Sequence, residues 1–282
     1  MNEFVVGVDG SEPSRTALRW AAAAGHAAGV PVRAVQSWIH PRSAVLPIAP
    51  VPVSAEERDE QTQQAITAIA TDTLGSSAAV TTAVLRGPPA GALLQTVTPD
   101  SVLVLGSRGL GGFAGLLLGS VSQECVEYAP CPVVVVRTDR IVGDGDVILV
   151  GKDDSEGAQR ALTWAHALAS ATGAGLRAVH AWRAIESERP PRIGERLRSR
   201  AADAVRGWTR QVADEIESAE MEGDPRDVLV RAAERVAPAL TVVGRRGAGG
   251  LRSMRLGSTA NHLVRHSSTN VAVVPLPNRD HA

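Results

Sequence analysis

Two glycine-spaced stretches hold the residues whose types and positions could do chemistry. The first, Val102 to Ser120, reads VLVLGSRGLGGFAGLLLGS; the second, Val242 to Ser258, reads VVGRRGAGGLRSMRLGS. In each, two residues separate the first marker glycines, Gly106 and Gly109 or Gly244 and Gly247, and nine more precede a Gly-Ser pair, Gly119-Ser120 or Gly257-Ser258. An apolar run that opens into such a loop and closes on a helix start leaves backbone amides free of Cβ crowding, which suits phosphate oxygens. The expected chemistry is a nucleotide site present twice.

Other reactive residues argue for binding over turnover. Among 29 basic residues only Lys152 is lysine, and it stands in VGKDDS, so no GxxxxGK[ST] phosphate loop exists. Cys125 and Cys131 lack the spacing of metal ligands or a disulfide framework and read as small buried apolar residues. The seven histidines are scattered; His262 and His266 share a helical face, but no third ligand accompanies them. There is no GxSxG elbow and no acid pair that local sequence can vouch for. No catalytic residue and no protein-held metal is therefore expected.

Bulk properties narrow the class. At 282 residues and 44% hydrophobic the chain can bury two cores. A net charge of −1 offers no global field for nucleic acid or an anionic membrane, so neither is an expected partner. The N-terminus MNEFVVGVDGS enters a strand at once and no apolar run reaches eighteen residues, which reads as a soluble, cytoplasmic protein.

The elements that must position the loops come from an internal repeat. Phe4 to Ser11 (FVVGVDGS) matches Ile148 to Ser155 (ILVGKDDS), and Val32 to Trp38 (VRAVQSW) matches Leu176 to Trp182 (LRAVHAW), both at an offset of 144 residues. The glycine loops are offset by 138, so the second copy has lost six residues between its second strand and its loop. Two domains follow, 1–140 and 146–282, joined by a short polar linker around TDRIVGDG. Within the first, Phe4–Val8, Val32–Trp38, Ala79–Leu85, Val102–Leu105 and Pro132–Val136 are expected strands. Helices end near Ala28 and cover Glu56–Leu74, Ala90–Val97 and Ser120–Tyr128. The proline-rich His40–Pro52 is expected as a loop. The second copy repeats this order, with a helix over Glu195–Val212. EIESAEME (Glu215–Glu222) has helical composition, and only the repeat assigns it to strand three. A βαβαβαβαβ order with right-handed crossovers gives a parallel sheet covered on both faces.

Ligands of such sheets bind outside the carboxyl ends of the strands, where the order reverses. Asp9 ends strand one and faces the 106–120 loop; Asp153 faces the 244–258 loop. A carboxylate there would repel phosphates, so Asp9 is read as a base or ribose contact, the alternative being a helix cap.

With these motifs the chain resembles the universal stress protein family in its tandem, ATP-binding form, from Phe4 to Pro275. The resemblance implies two flavodoxin-like α/β domains, each a doubly wound five-stranded parallel sheet in the order 3-2-1-4-5. It also implies that the last strands, Val133–Val136 and Val271–Val274, pair between the halves. By the same resemblance Asp9 with a backbone group at Ser37, and Asp153 with a backbone group at Ala181, contact adenine. Gly106, Gly109, Gly119, Ser120 and Val121, and Gly244, Gly247, Gly257, Ser258 and Thr259, meet ribose and phosphates. The implied ligand is ATP with Mg²⁺, and the implied role is a stress-response regulator or sensor with at most weak ATPase activity. A homodimer, supported by the alanine-rich helices, and unidentified protein partners are expected. The rival readings are a slow ATP-hydrolysing or adenine-nucleotide hydrolase-like enzyme, and a ligand-free scaffold. Arg245, Arg246, Arg252 and Arg255 enrich the second loop, either as a solvated basic surface or as a triphosphate clamp.

Overall fold

The structure, a computed structural model, describes residues 1–39, 54–76, 79–110, 117–182, 216–248 and 254–276, with Ser199, Asp203, Gly207 and Val212. The proline-rich stretch after residue 40 and most of the helix expected over Glu195–Val212 lie outside them.

In the first half the elements are β1 (Glu3–Gly7), α1 (Glu12–Ala28), β2 (Val32–Trp38), α2 (Ala55–Leu74), β3 (Val80–Arg86), α3 (Pro89–Thr96), β4 (Ser101–Gly106), α4 (Ser120–Tyr128) and β5 (Val133–Val136). The second half follows with β6 (Val147–Gly151), α5 (Glu156–Thr172), β7 (Gly175–Trp182), β8 (Glu217–Glu222), α6 (Pro225–Val236), β9 (Leu240–Gly244), α7 (Ser258–His266) and β10 (Val271–Val274). Each half is a five-stranded parallel unit in the order 3-2-1-4-5. The two fuse into one ten-stranded sheet, β3-β2-β1-β4-β5-β10-β9-β6-β7-β8.

Local chemistry explains these boundaries. The central strands are continuous apolar runs because both faces are covered; Phe4, Val5 and Val6 are completely buried. Phe4, Val6 and Val8 join the core with α1 and α2, while Val5, Leu103 and Leu105 join the opposite core with α3 and α4. Both cores run unbroken across the two halves. Ser11 caps α1 by accepting from the Ser14 amide, and Gly29 closes it in the left-handed region at φ 63°. Ser155 and Gly173 repeat both devices on α5.

Among the described strands the one antiparallel junction is β5 with β10, in the register Val271↔Val135, Ala272↔Val134 and Val273↔Val133. Val133–Val136 and Val271–Val274 are almost completely buried there. Asn270, also completely buried, locks the crossing. Its Oδ1 accepts from the amides of Arg137 (2.8 Å) and Thr138 (3.0 Å), and its Nδ2 donates to the carbonyls of Arg140 and Ala239. The alanine-rich α1 and α5 pack on each other inside this chain, so their small side chains already serve the junction between the halves.

Candidate functional site

Each half opens a cavity at the carboxyl ends of its strands, beside the switch from β1 to β4 or from β6 to β9. The first encloses about 610 Å³. The structure places all seven expected residues of that half around it: Asp9, Ser37, Gly106, Gly109, Gly119, Ser120 and Val121. Asp153, Ala181, Gly244, Gly247, Gly257, Ser258 and Thr259 likewise surround the second, which encloses about 290 Å³.

Asp9 is the pivot of the first cavity. Its Oδ1 accepts from the Ser11 amide (3.0 Å) and hydroxyl (2.6 Å), and its Oδ2 accepts from the Leu110 amide (2.9 Å), 101 residues away. Half-burial pushes the carboxyl toward protonation, but the bonds from Ser11 and Leu110 outweigh it and hold its pKa below the ordinary carboxylate value. The cap of α1 is Ser11, so the carboxylate of Asp9 fastens the glycine loop to the end of β1 instead. Asp153 repeats this, accepting from Ser155 and, at 3.0 Å, from the Ala248 amide.

The glycine spacing has a steric cause that is visible without a ligand. A Cβ on Gly106 would stand 2.6 Å from the backbone of Pro13, and one on Gly109 would stand 2.4 Å from Asp9 Oδ2. Gly244 and Gly247 face the same obstacles, the Gly157 backbone at 2.5 Å and Asp153 Oδ2 at 2.7 Å. The loop closes when Gly119 donates to the Ser107 carbonyl, and Gly257 to that of Arg245, each at 2.8 Å. Helices α4 and α7 then start at Ser120 and Ser258, and neither has a side-chain cap on its first amides. Amides at such a helix start are donors of the kind that suits an anion.

Several cavity residues escaped the sequence reading, with Gln36 among the polar ones. Gln36, on β2 beside Ser37, lines the first cavity, and its Oε1 is buried without a hydrogen-bond partner. A polar residue near the carboxyl end of an otherwise buried strand is the only local signal for it. Pro89 and Leu93 add an apolar wall.

The arginines of the second loop divide. Arg246 lines the second cavity. Arg245 instead turns into the junction and donates to the Ala129 carbonyl at the end of α4, where burial lowers its guanidinium to about 10. Arg255 lies over the Tyr128 ring, 4.6 Å from its centroid. A clamp built from all the loop arginines is therefore corrected: these two hold the first half, because the β5–β10 crossing brings α4 alongside the second loop. Arg252 lies outside the described residues.

The cysteines and the paired histidines lie outside the lining of both cavities. Cys125 and Cys131 are buried thiols, each pushed up to about 12 by burial. His262 and His266 stack on one another at 4.4 Å. Among the described residues no cluster of three or more His, Cys, Asp or Glu could hold a metal ion, and no helix is long and apolar enough to cross a membrane.

Comparison with known proteins agrees with this architecture. The model of the universal stress protein family matches residues 1–137 and again 146–275. A universal stress protein of Mycolicibacterium smegmatis is 30% identical over 287 residues, covering 96% of both chains. One from Mycobacterium tuberculosis is 31% identical over 284 residues, covering 95% of both. Among solved structures, a universal stress protein from Archaeoglobus fulgidus shares the fold with a TM-score of 0.69 at 23% identity, over 97% of this chain and 98% of that one. The chain belongs to the universal stress protein family, as a tandem of two family domains.

Proposed function

We propose that the first cavity binds an adenine nucleotide and that the protein acts as a nucleotide-dependent stress-response regulator. The observation that carries this is a division of labour around the first cavity. Asp9 offers a carboxylate acceptor at the strand ends, with Gln36 lining the cavity beside it, while the start of α4 offers donors. An amino-bearing base suits the acceptor, and phosphates suit the donors. Val35, Leu93 and Leu105 supply the apolar wall that a base needs. The volume of about 610 Å³ falls within the usual range for small-molecule sites, roughly 300–1,000 Å³.

In this reading Asp9, Gln36 and Ser37 orient the base, and the amides of Gly109, Ser120 and Val121 hold ribose and phosphates, with Gly119 closing the loop beside them. Magnesium would arrive on the phosphates, which it binds with few protein ligands. That fits a cavity whose carboxylate is already engaged by Ser11 and Leu110. A homodimer and protein partners belong to the same proposal.

Equilibrium dialysis with ATP and Mg²⁺ tests the reading. The wild type should retain ATP, and Gly109→Glu, which drives a carboxylate into Asp9 and the loop, should lose it from the first half. Equal retention by both would overturn the assignment.

A further inference from the structure

The two cavities are equivalent in their phosphate loops but not at the base end. Three corresponding positions differ: Val8, Gln36 and Ser37 around the first cavity become Lys152, His180 and Ala181 in the second half. Lys152 is the chain's only lysine, and it is 4% exposed in the lining of the second cavity. Its ammonium donates to the carbonyl of Asp153, the residue that would meet the base. His180 Nδ1 lies 2.8 Å from the Lys152 carbonyl, whereas Gln36 leaves a buried acceptor open.

From these replacements, and resting on the nucleotide reading above, we infer that Lys152 is a specificity determinant that bars adenine from the second cavity, so that the chain binds one adenine nucleotide, in its first half. Three effects act together. A lysine side chain occupies volume that valine leaves free, and Lys152 lines the second cavity where Val8 lines the first. The ammonium sets a donor on the backbone carbonyl of Asp153, at the end of the cavity where the amino group of adenine would sit, so donor meets donor. Gln36 has no glutamine counterpart, since His180 stands in its place. What the second half retains is the anion-holding end, Gly257, Ser258 and Thr259, with Arg246 alongside.

Burial lowers the pKa of Lys152, while Asp153 and Asp154 oppose that shift.

Isothermal titration of nucleotide-stripped full-length protein with ATP and Mg²⁺ tests the inference through its stoichiometry. Wild type should saturate at one ATP per chain, Gly247→Glu should also give one, and Gly109→Glu none. Lys152→Val, which restores the first-half residue, should raise the value toward two. Two ATP per wild-type chain, falling to one in Gly247→Glu, would overturn the role of Lys152 while leaving the nucleotide reading intact. One ATP per chain in a folded Lys152→Val variant would also overturn it. No binding by wild type would overturn the nucleotide reading itself, and this inference with it.

Discussion

A Cβ added to Gly109 would lie 2.4 Å from Oδ2 of Asp9, the oxygen that accepts from the neighbouring Leu110 amide. The strand-end aspartate and the loop glycine are thus one steric unit, and the second half repeats it with Gly247 and Asp153. Gly109→Ala should therefore both loosen the loop and weaken nucleotide binding. Asp9→Ala should remove the clasp, at about 1 kcal/mol for each lost hydrogen bond. Urea denaturation with and without ATP checks both: each variant should lose most of the stabilisation that ATP gives the wild type.

The clasp has a defined pH window. A carboxyl whose folded pKa lies below its ordinary value contributes stability that is complete above that value and is lost as pH falls through the folded one. The ordinary value for Asp9 is 3.8, and its folded value is lower. The stability advantage of wild type over Asp9→Asn should stay level from neutral pH to about 5 and shrink below about 4. Urea midpoints across that range read it directly, and an advantage that grows on acidification would contradict the clasp.

Asn270 ties the linker to the second half through four backbone groups while fully buried. Leucine fills similar volume but leaves those groups without their side-chain partner. At about 1–3 kcal/mol for each buried group left unsatisfied, Asn270→Leu should cost roughly 3 kcal/mol or more. Chemical denaturation measures it, and a cost under about 1 kcal/mol would show that the linker is held by other means.

Cys125 and Cys131 are buried and their thiols are pushed up to about 12, so the nucleophilic thiolate is scarce at any ordinary pH. Neither should react with a thiol reagent at pH 8 in the folded protein, and both should react in denaturant. Rapid labelling of the native state would contradict their burial.

The repeat made the fold legible. Periodicity alone would have placed EIESAEME in a helix, yet Glu217–Glu222 pairs in parallel with β7 as an edge strand, where solvent accepts its charges and Arg177 meets Glu217. The glycine and aspartate positions were also legible, because steric demands at a loop leave their mark on residue type. Gln36, Asn270 and Arg245 were not. Each is defined by what lies near it in space: a cavity, a linker some 130 residues earlier, and the end of a helix in the other half. The β5–β10 crossing assembles those neighbourhoods, and local sequence around the three residues does not encode them.

The central claim, that the first cavity holds an adenine nucleotide, is tested most directly by the nucleotide released by acid from freshly purified full-length protein and identified by chromatography. The account predicts an adenine nucleotide approaching one equivalent per chain in wild type and its loss in Gly109→Glu. A wild-type protein that releases none, and binds none when ATP and Mg²⁺ are supplied, would contradict it.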